Sequence, residues 1–215
     1  TGKGQRGING GPNGDLLIEV YVEPSKIYKR EGFDLHMEKG SRINFSDEPD
    51  DYLPAVFTRI EGIRCYGYSP LIYGTNLENV AITGEGTFNG NGAKWWDFFR
   101  KTKVSTAKNS GAGCADLMQM VRDGVPVEER NFAKKEGGLR PYFLQILYTK
   151  NILIEGVRFI NTPFWCVAPT FSENVIIRNV SFMTTKKSHN TDSVDIDSCK
   201  NVLVEGIRVD SSSDD

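Results

Sequence analysis

Asn190-Thr191-Asp192-Ser193-Val194-Asp195 and the final pair Asp214-Asp215 are the residues best placed to do chemistry in this sequence. They stand one unit of a repeating pattern apart. Stacking of successive units would bring carboxylates distant in sequence onto one surface patch. Carboxylates held that close cannot all ionise freely, so repulsion raises at least one pKa and keeps a proton available. A general acid then stands beside general bases, the minimum for cleaving a glycosidic bond. The same oxygens also suit solvated turns or a calcium site, and spacing alone leaves these alternatives open.

The pattern that must position them is anchored on asparagine. Asn79-Val80-Ala81-Ile82, Asn151-Ile152-Leu153-Ile154, Asn174-Val175-Ile176-Ile177 and Asn201-Val202-Leu203-Val204 align. The last three continue alike, through Glu155 to Phe159, Arg178 to Phe182 and Glu205 to Val209. Their spacings are 23 and 27 residues; the first segment lies 72 before the second, which reads as three units of 24. Each unit holds two short β-rich runs joined at a polar or glycine bend, too little to bury a face alone, so units must stack. Alternation predicts Val175, Ile177, Val180 and Phe182 on the inner face. Their counterparts are expected about 4.8 Å above or below, at strand spacing. The aligned asparagines predict a hydrogen-bonded ladder at a bend. An antiparallel sandwich is also rich in short strands but does not predict matched residues at a fixed period. The expected fold is all-β: one parallel β-helix domain over 1–215 with a partly helical insertion at about 93–137.

The unit beginning at Asn174 is four residues longer than the one before it. A bulged loop at Thr184–His189, where the sequence turns polar, would absorb the excess. Asp192 and Asp215 then share one angular position on neighbouring coils, with Asp214 adjacent. Consecutive strand residues point to opposite faces, so Asp214 and Asp215 can both face a cleft only if the backbone bends. The Ser211-Ser212-Ser213 run permits that bend.

Elsewhere the signals are weaker. Residues 1–15 carry six glycines and read as a loop; Gly2-Lys3-Gly4 lacks the rest of a phosphate-loop motif. Leu16 to Val22 and Phe33 to Phe45 read as early coils, with His36 a packed or surface histidine. Within the insertion, Ala115 to Arg122 has helical spacing and stops near Gly124. Trp95-Trp96 and Phe98-Phe99 are expected mainly to anchor the insertion on the core. Lys101, Lys103 and Lys108 read as part of a solvated loop.

Length and composition set bounds. With 215 residues the chain can bury a sizeable core. At 39% hydrophobic and 25% charged it is ordinary for a globular protein, and its net charge of −2 leaves no footprint for nucleic acid. No apolar run reaches bilayer-spanning length, and Thr1 begins no signal-peptide pattern. The four cysteines form no C-x-x-C pair, so neither a structural zinc nor any other cofactor is expected. Cys199 falls in a column with Thr149 and Ser172, which suggests a buried, unpaired thiol, with a disulfide as the alternative.

Several segments, taken in order, make the sequence recognisable. They are Ser69-Pro70-Leu71-Ile72-Tyr73, Glu78 to Gly86, Arg140-Pro141, Asn161-Thr162-Pro163-Phe164-Trp165, Asn190-Thr191-Asp192, Asp197-Ser198-Cys199-Lys200-Asn201 and Asp214-Asp215. From about Leu35 onward the chain resembles family 28 of the glycoside hydrolases, the polygalacturonases. Pro126 to Arg130, before Arg140-Pro141, is closer to the exo-acting branch. The resemblance implies a right-handed, single-stranded parallel β-helix, the pectin-lyase-like solenoid. It implies inverting hydrolysis of α-1,4-linked galacturonic acid, with a pectic polysaccharide or oligogalacturonide as partner, in an extracellular or periplasmic setting. Asp214 would be the general acid, and Asp192 and Asp215 would position and deprotonate the water. Inversion needs roughly 6.5–9.5 Å between acid and base; one-coil stacking at about 4.8 Å falls short, so divergent side chains must supply the rest. Asn190, His189 and Lys187 are the substrate-binding candidates, with Lys186 beside them.

The departures are specific. Ser193 and Ser213 stand where the family has glycine, and Ala168-Pro169 where a His-Pro pair is common. A Gly-His-Gly and an Arg-x-Lys segment are expected after the aspartate pair, so the domain is expected to be incomplete there. A partner chain or a further segment would then cap the last coil. Two alternatives to the hydrolase remain: a non-catalytic β-helix binding anionic polysaccharide, and a calcium-dependent pectate lyase.

Overall fold

The computed structural model describes residues 31–102 and 112–211. Leu16 to Val22, Lys103, Lys108, Asp214 and Asp215 lie outside them.

Three parallel sheets wrap one core. The first carries β1 (Glu31–Met37), β6 (Glu78–Gly84), β9 (Lys150–Glu155), β12 (Glu173–Arg178) and β14 (Lys200–Glu205), in that order. The second carries β2 (Arg42–Asn44), β7 (Thr87–Asn89), β10 (Arg158–Ile160), β13 (Ser181–Met183) and β15 (Arg208–Asp210). The third carries β5 (Ile72–Thr75), β8 (Leu144–Leu147) and β11 (Val167–Thr170), extended by bridges from Val167 to Val194 and from Thr170 to Asp197. The fold is the expected parallel β-helix.

Register follows the repeat. Val175 pairs with Ile152 on one side and Val202 on the other, and Ile177 with Ile154 and Val204. Phe88, Phe159 and Phe182 stack through the core with centroids 5.2 and 5.7 Å apart and near-parallel rings. The asparagine ladder is present: Asn151 Nδ2 donates to Asn79 Oδ1 at 2.8 Å, Asn174 to Asn151 at 2.9 Å and Asn201 to Asn174 at 3.0 Å. Each ladder residue has φ between 54° and 59°, the left-handed region that asparagine tolerates best after glycine. At the next bend Gly84 and Gly156 sit so close that a Cβ on Gly156 would fall 2.4 Å from the Gly84 carbonyl oxygen. Only glycine fits that approach.

One spacing is corrected. The 72 residues between Asn79 and Asn151 are a single coil, because β6 pairs directly with β9 and β5 with β8. The excess is the insertion, with helices α1 (Ala93–Thr102) and α2 (Ala112–Arg122). A rise of one strand spacing cannot be divided among three coils when the flanking strands hydrogen-bond to each other. Trp95 is fully buried, and Trp96 Nε1 donates to the Thr162 carbonyl at 2.9 Å, so both tryptophans anchor the insertion.

The outer face of the third sheet is covered. An antiparallel hairpin of β3 (Val56–Ile60) and β4 (Ile63–Gly67) lies there with α2. Ile60, Cys65, Cys114, Leu117, Phe132, Tyr142, Phe164 and Ala168 form this second apolar cluster. The hairpin turns on Glu61 and Gly62, at φ 50° and 77°, as a two-residue loop of mirror-image type requires. At the far end of the stack, inward-facing Val202, Val204 and Val209 are 37%, 42% and 48% exposed, whereas Val175 and Ile177 are fully buried.

Candidate active site

The loop that carries the first acidic cluster leaves the stack and returns to it. Met183 pairs with Ile160, 23 residues earlier, but Val194 pairs with Val167, 27 residues earlier. The four surplus residues therefore lie between Met183 and Val194, where the polar loop was expected. The loop is held by its own hydroxyls. Ser188 Oγ donates to the Thr185 carbonyl at 2.6 Å, and Thr191 Oγ1 to Ser188 Oγ at 3.0 Å. Where the chain rejoins the third sheet, the Cys166 amide donates to the Asp192 carbonyl at 2.8 Å.

Asp192 is buried, at 6% exposure. Asn190 is half-buried and left-handed at φ 48°, while Lys186, Lys187 and His189 are exposed on the loop. Thr184 Oγ1 lies 3.4 Å from Thr191 Oγ1 and 2.8 Å from Ser211 Oγ. Ser211 thus lies beside Thr184, where the loop leaves the stack, and the Thr184 hydroxyl is shared with Thr191 just before Asp192. Ser193 is buried, and its hydroxyl has no hydrogen-bond partner among the described residues.

The groups around Asp192 come largely from outside the repeat. Arg140 is buried; one of its guanidinium nitrogens donates to the carbonyls of Pro163 at 2.8 Å and His189 at 2.7 Å. Its guanidinium also lies 4.9 Å from the centre of the Phe164 ring. Burial pulls its pKa down to about 9, against the opposing pull of Cys114 and Asp192, so it remains charged at neutral pH. A fixed cation thus ties the loop at His189 to the Pro163 segment of the preceding coil. Glu61, at the hairpin tip, is exposed overall, yet partial burial of its carboxyl and the negative charge of Asp192 raise its pKa. Buried Tyr142 donates to the Arg59 carbonyl at 2.7 Å, and burial first, then Asp195, pushes its pKa well up. Arg59 in turn pairs with Asp197 at 2.5 Å.

Sequence reasoning quoted Arg140 only within a motif and missed Glu61, Arg59 and Tyr142. The Glu61-Gly62 dipeptide between two β-rich runs was the available signal for a hairpin. All four cysteines are free thiols; Cys199 is half-buried in the Thr149–Ser172 column, its Sγ 3.3 Å from the Pro169 carbonyl. No group of three potential metal ligands stands together among the described residues. No helix there is long and apolar enough to cross a membrane.

Stacked parallel coils with a partly buried carboxylate strand under an added outer layer define a β-helix with a built surface site. Residues 124–215 match the model of glycosyl hydrolases family 28. A "probable polygalacturonase" of Vitis vinifera is 30% identical over 148 residues, 68% of this chain and 24% of that protein. The solved structure of a hyperthermoactive exopolygalacturonase from Thermotoga maritima superposes with a TM-score of 0.70 at 36% identity, covering 94% of this chain and 46% of that one. The chain is therefore polygalacturonase-like, and its residues 124–215 carry the match to glycoside hydrolase family 28. It spans about a quarter of the curated relative and just under half of the solved one.

A second match was not foreseen. Residues 1–47 match the DnaJ C terminal domain, and the chaperone protein DnaJ of Bordetella petrii is 55% identical over 38 residues, 18% of this chain and 10% of that protein. The glycine-rich start and the run Leu16 to Val22, read above as a loop and an early coil, fall within this match. So does β1, which nevertheless pairs with β6 from Glu31 to Met37.

Proposed function

We propose that the chain carries part of the machinery of a pectin-degrading hydrolase, acting on α-1,4-linked galacturonic acid with inversion. In this reading Asp214 protonates the leaving oxygen, and Asp192 and Asp215 hold and deprotonate the attacking water. Asn190, His189 and Lys187 contact the substrate from the loop above. The observation that carries the reading is the buried Asp192 on a strand entry whose preceding residue, Thr191, shares the Thr184 hydroxyl with Ser211, three residues before the aspartate pair. The domain is taken as one β-helix with its insertion at about 93–137, working outside the cell or in the periplasm. The exposed apolar edge at Val202, Val204 and Val209 supports further coils or a partner chain over β14 and β15.

Reducing-sugar release from polygalacturonate, with and without a chelator, tests the reading. Hydrolysis insensitive to chelator is expected, and Asp192→Asn should lower it by roughly 10²–10⁴-fold with an unchanged melting profile. Unsaturated product absorbing in the ultraviolet would point to a lyase instead. Binding without turnover would leave a polysaccharide-binding β-helix.

A further inference from the structure

Away from Asp192, where the hairpin meets the end of α2, an open cavity of about 300 Å³ is lined by Arg59, Arg64, Arg130, Val121, Val127 and Phe171. That volume is at the small end for ligand clefts. The guanidinium carbons of Arg59 and Arg64 lie 4.8 and 5.3 Å from the centre of the Phe171 ring. Tyr148 stacks on the same ring at 4.9 Å. A guanidinium held against an aromatic ring is restrained in position, and its donors match a carboxylate.

The charge is unbalanced. Arg59 is paired with Asp197. Arg130 spends its nitrogens on the carbonyls of Val125 and Arg64, which anchors it but neutralises nothing. Arg64 is exposed and has no carboxylate partner among the described residues. Glu61, Glu128 and Glu129 flank the lining but pair with none of the three arginines among those residues. Three cations therefore face one carboxylate in a chain whose net charge is −2. Phe171 and Tyr148 both hold left-handed backbone, at φ 53° and 50°, where bulky residues are genuine outliers. In the same column Asn76 and Ser198 use small polar side chains. The ring beneath the arginines therefore sits on a strained backbone position.

We infer that this pocket is an anionic-sugar site, taking the carboxylate of a uronate unit between Arg59 and Arg64. Asp197, its anchor, is five residues from Asp192 on one extended segment, at most about 17 Å. A polyuronate engaged at Asp192 can therefore reach it. The inference rests on the proposed substrate class only for the identity of the sugar.

The test is calorimetric titration of the full chain carrying Asp192→Asn with trigalacturonate and with D-galacturonate. Arg64→Gln should weaken binding about tenfold, Arg64→Lys less, and D-galactose should give no binding. Matching thermal unfolding of both Arg64 variants shows that the fold is kept. Unchanged affinity in Arg64→Gln overturns the site, and inorganic phosphate binding as tightly as galacturonate overturns the sugar assignment. Polygalacturonate hydrolysis by the unmutated chain is measured in parallel. Its absence with Arg64-dependent binding intact would remove the hydrolase reading and leave this site standing.

Discussion

In the coil stack each inward position repeats its chemistry from one coil to the next: Val80, Ile152 and Val175 in one column, Phe88, Phe159 and Phe182 in another. In the layer over the third sheet nothing repeats. Glu61 and Arg59 come from a hairpin, Arg140 and Tyr142 from the segment after the insertion, and each meets a different partner. Repetition gives register, because one slipped residue would turn every apolar side chain outward. Non-repetition gives chemistry, because a site needs different groups pointing at one place. The candidate site sits where the two regimes meet, on the only coil whose length departs by four residues from its neighbour among the three aligned C-terminal segments.

If the stack bears the stability, its central ring should be the costliest to lose. Phe159→Ala removes the middle member of the stacked phenylalanines and is expected to cost about 3–5 kcal/mol, read as a fall in the urea midpoint with an unchanged slope. A smaller loss than that of an outer-layer truncation such as Leu117→Ala would break the comparison.

Arg140→Met probes the meeting point. It leaves the buried Pro163 carbonyl and the part-buried His189 carbonyl without that donor and should cost roughly 3 kcal/mol. The loop carrying Asp192 should loosen before the stack does, so amide exchange at Thr191 to Ser193 should rise more than at Ile152 to Ile154. If hydrolysis is present in the parent, it should fall further than stability alone explains. Arg140→Lys keeps the charge but cannot reproduce the guanidinium geometry, and should recover only part of both losses.

The ladder should respond to single changes in two separable amounts. Asn174→Ala loses both side-chain bonds to Asn151 and Asn201 and forces alanine into φ 57°. About 2 kcal/mol is expected. Asn174→Gly loses the same bonds but relieves the backbone, and should cost about half as much. Equal losses would mean that the ladder bonds carry all the effect.

The legibility of the two regimes differed for the same reason. The stack was readable because matched residues recur: the asparagines, the Val/Ile alternation and the four-residue excess before Asp192 all appear in the pairing. The covering layer was not, since a residue used once leaves no period. Arg140 looks like any arginine before a buried strand, and Glu61 like any charged turn residue. The 72-residue gap was misread because a repeat count assumes every residue belongs to a coil, whereas a solenoid tolerates a long insertion at one bend. The match of residues 1–47 to a chaperone domain left no such trace, although Phe33 to Met37 pair as a coil strand, as expected. Residues 31–37 have strand alternation, and alternation does not say which family a strand comes from.

The finest probe of the layer is Glu61→Gln. Glu61 and Asp192 raise each other's cost of ionising, since the coupling that lifts the Glu61 pKa acts equally on its partner. Above the raised pKa of Glu61 both carboxylates are charged and the fold bears their repulsion; as pH falls through that pKa the repulsion is relieved. Removing the Glu61 charge should therefore raise stability slightly at neutral pH and leave it unchanged in acid. In a hydrolase that needs Asp192 ionised, the acid limb of the pH–rate profile should move to lower pH. Loss of the alkaline limb instead would mean that Glu61 serves the reaction as a proton donor rather than as a neighbouring charge.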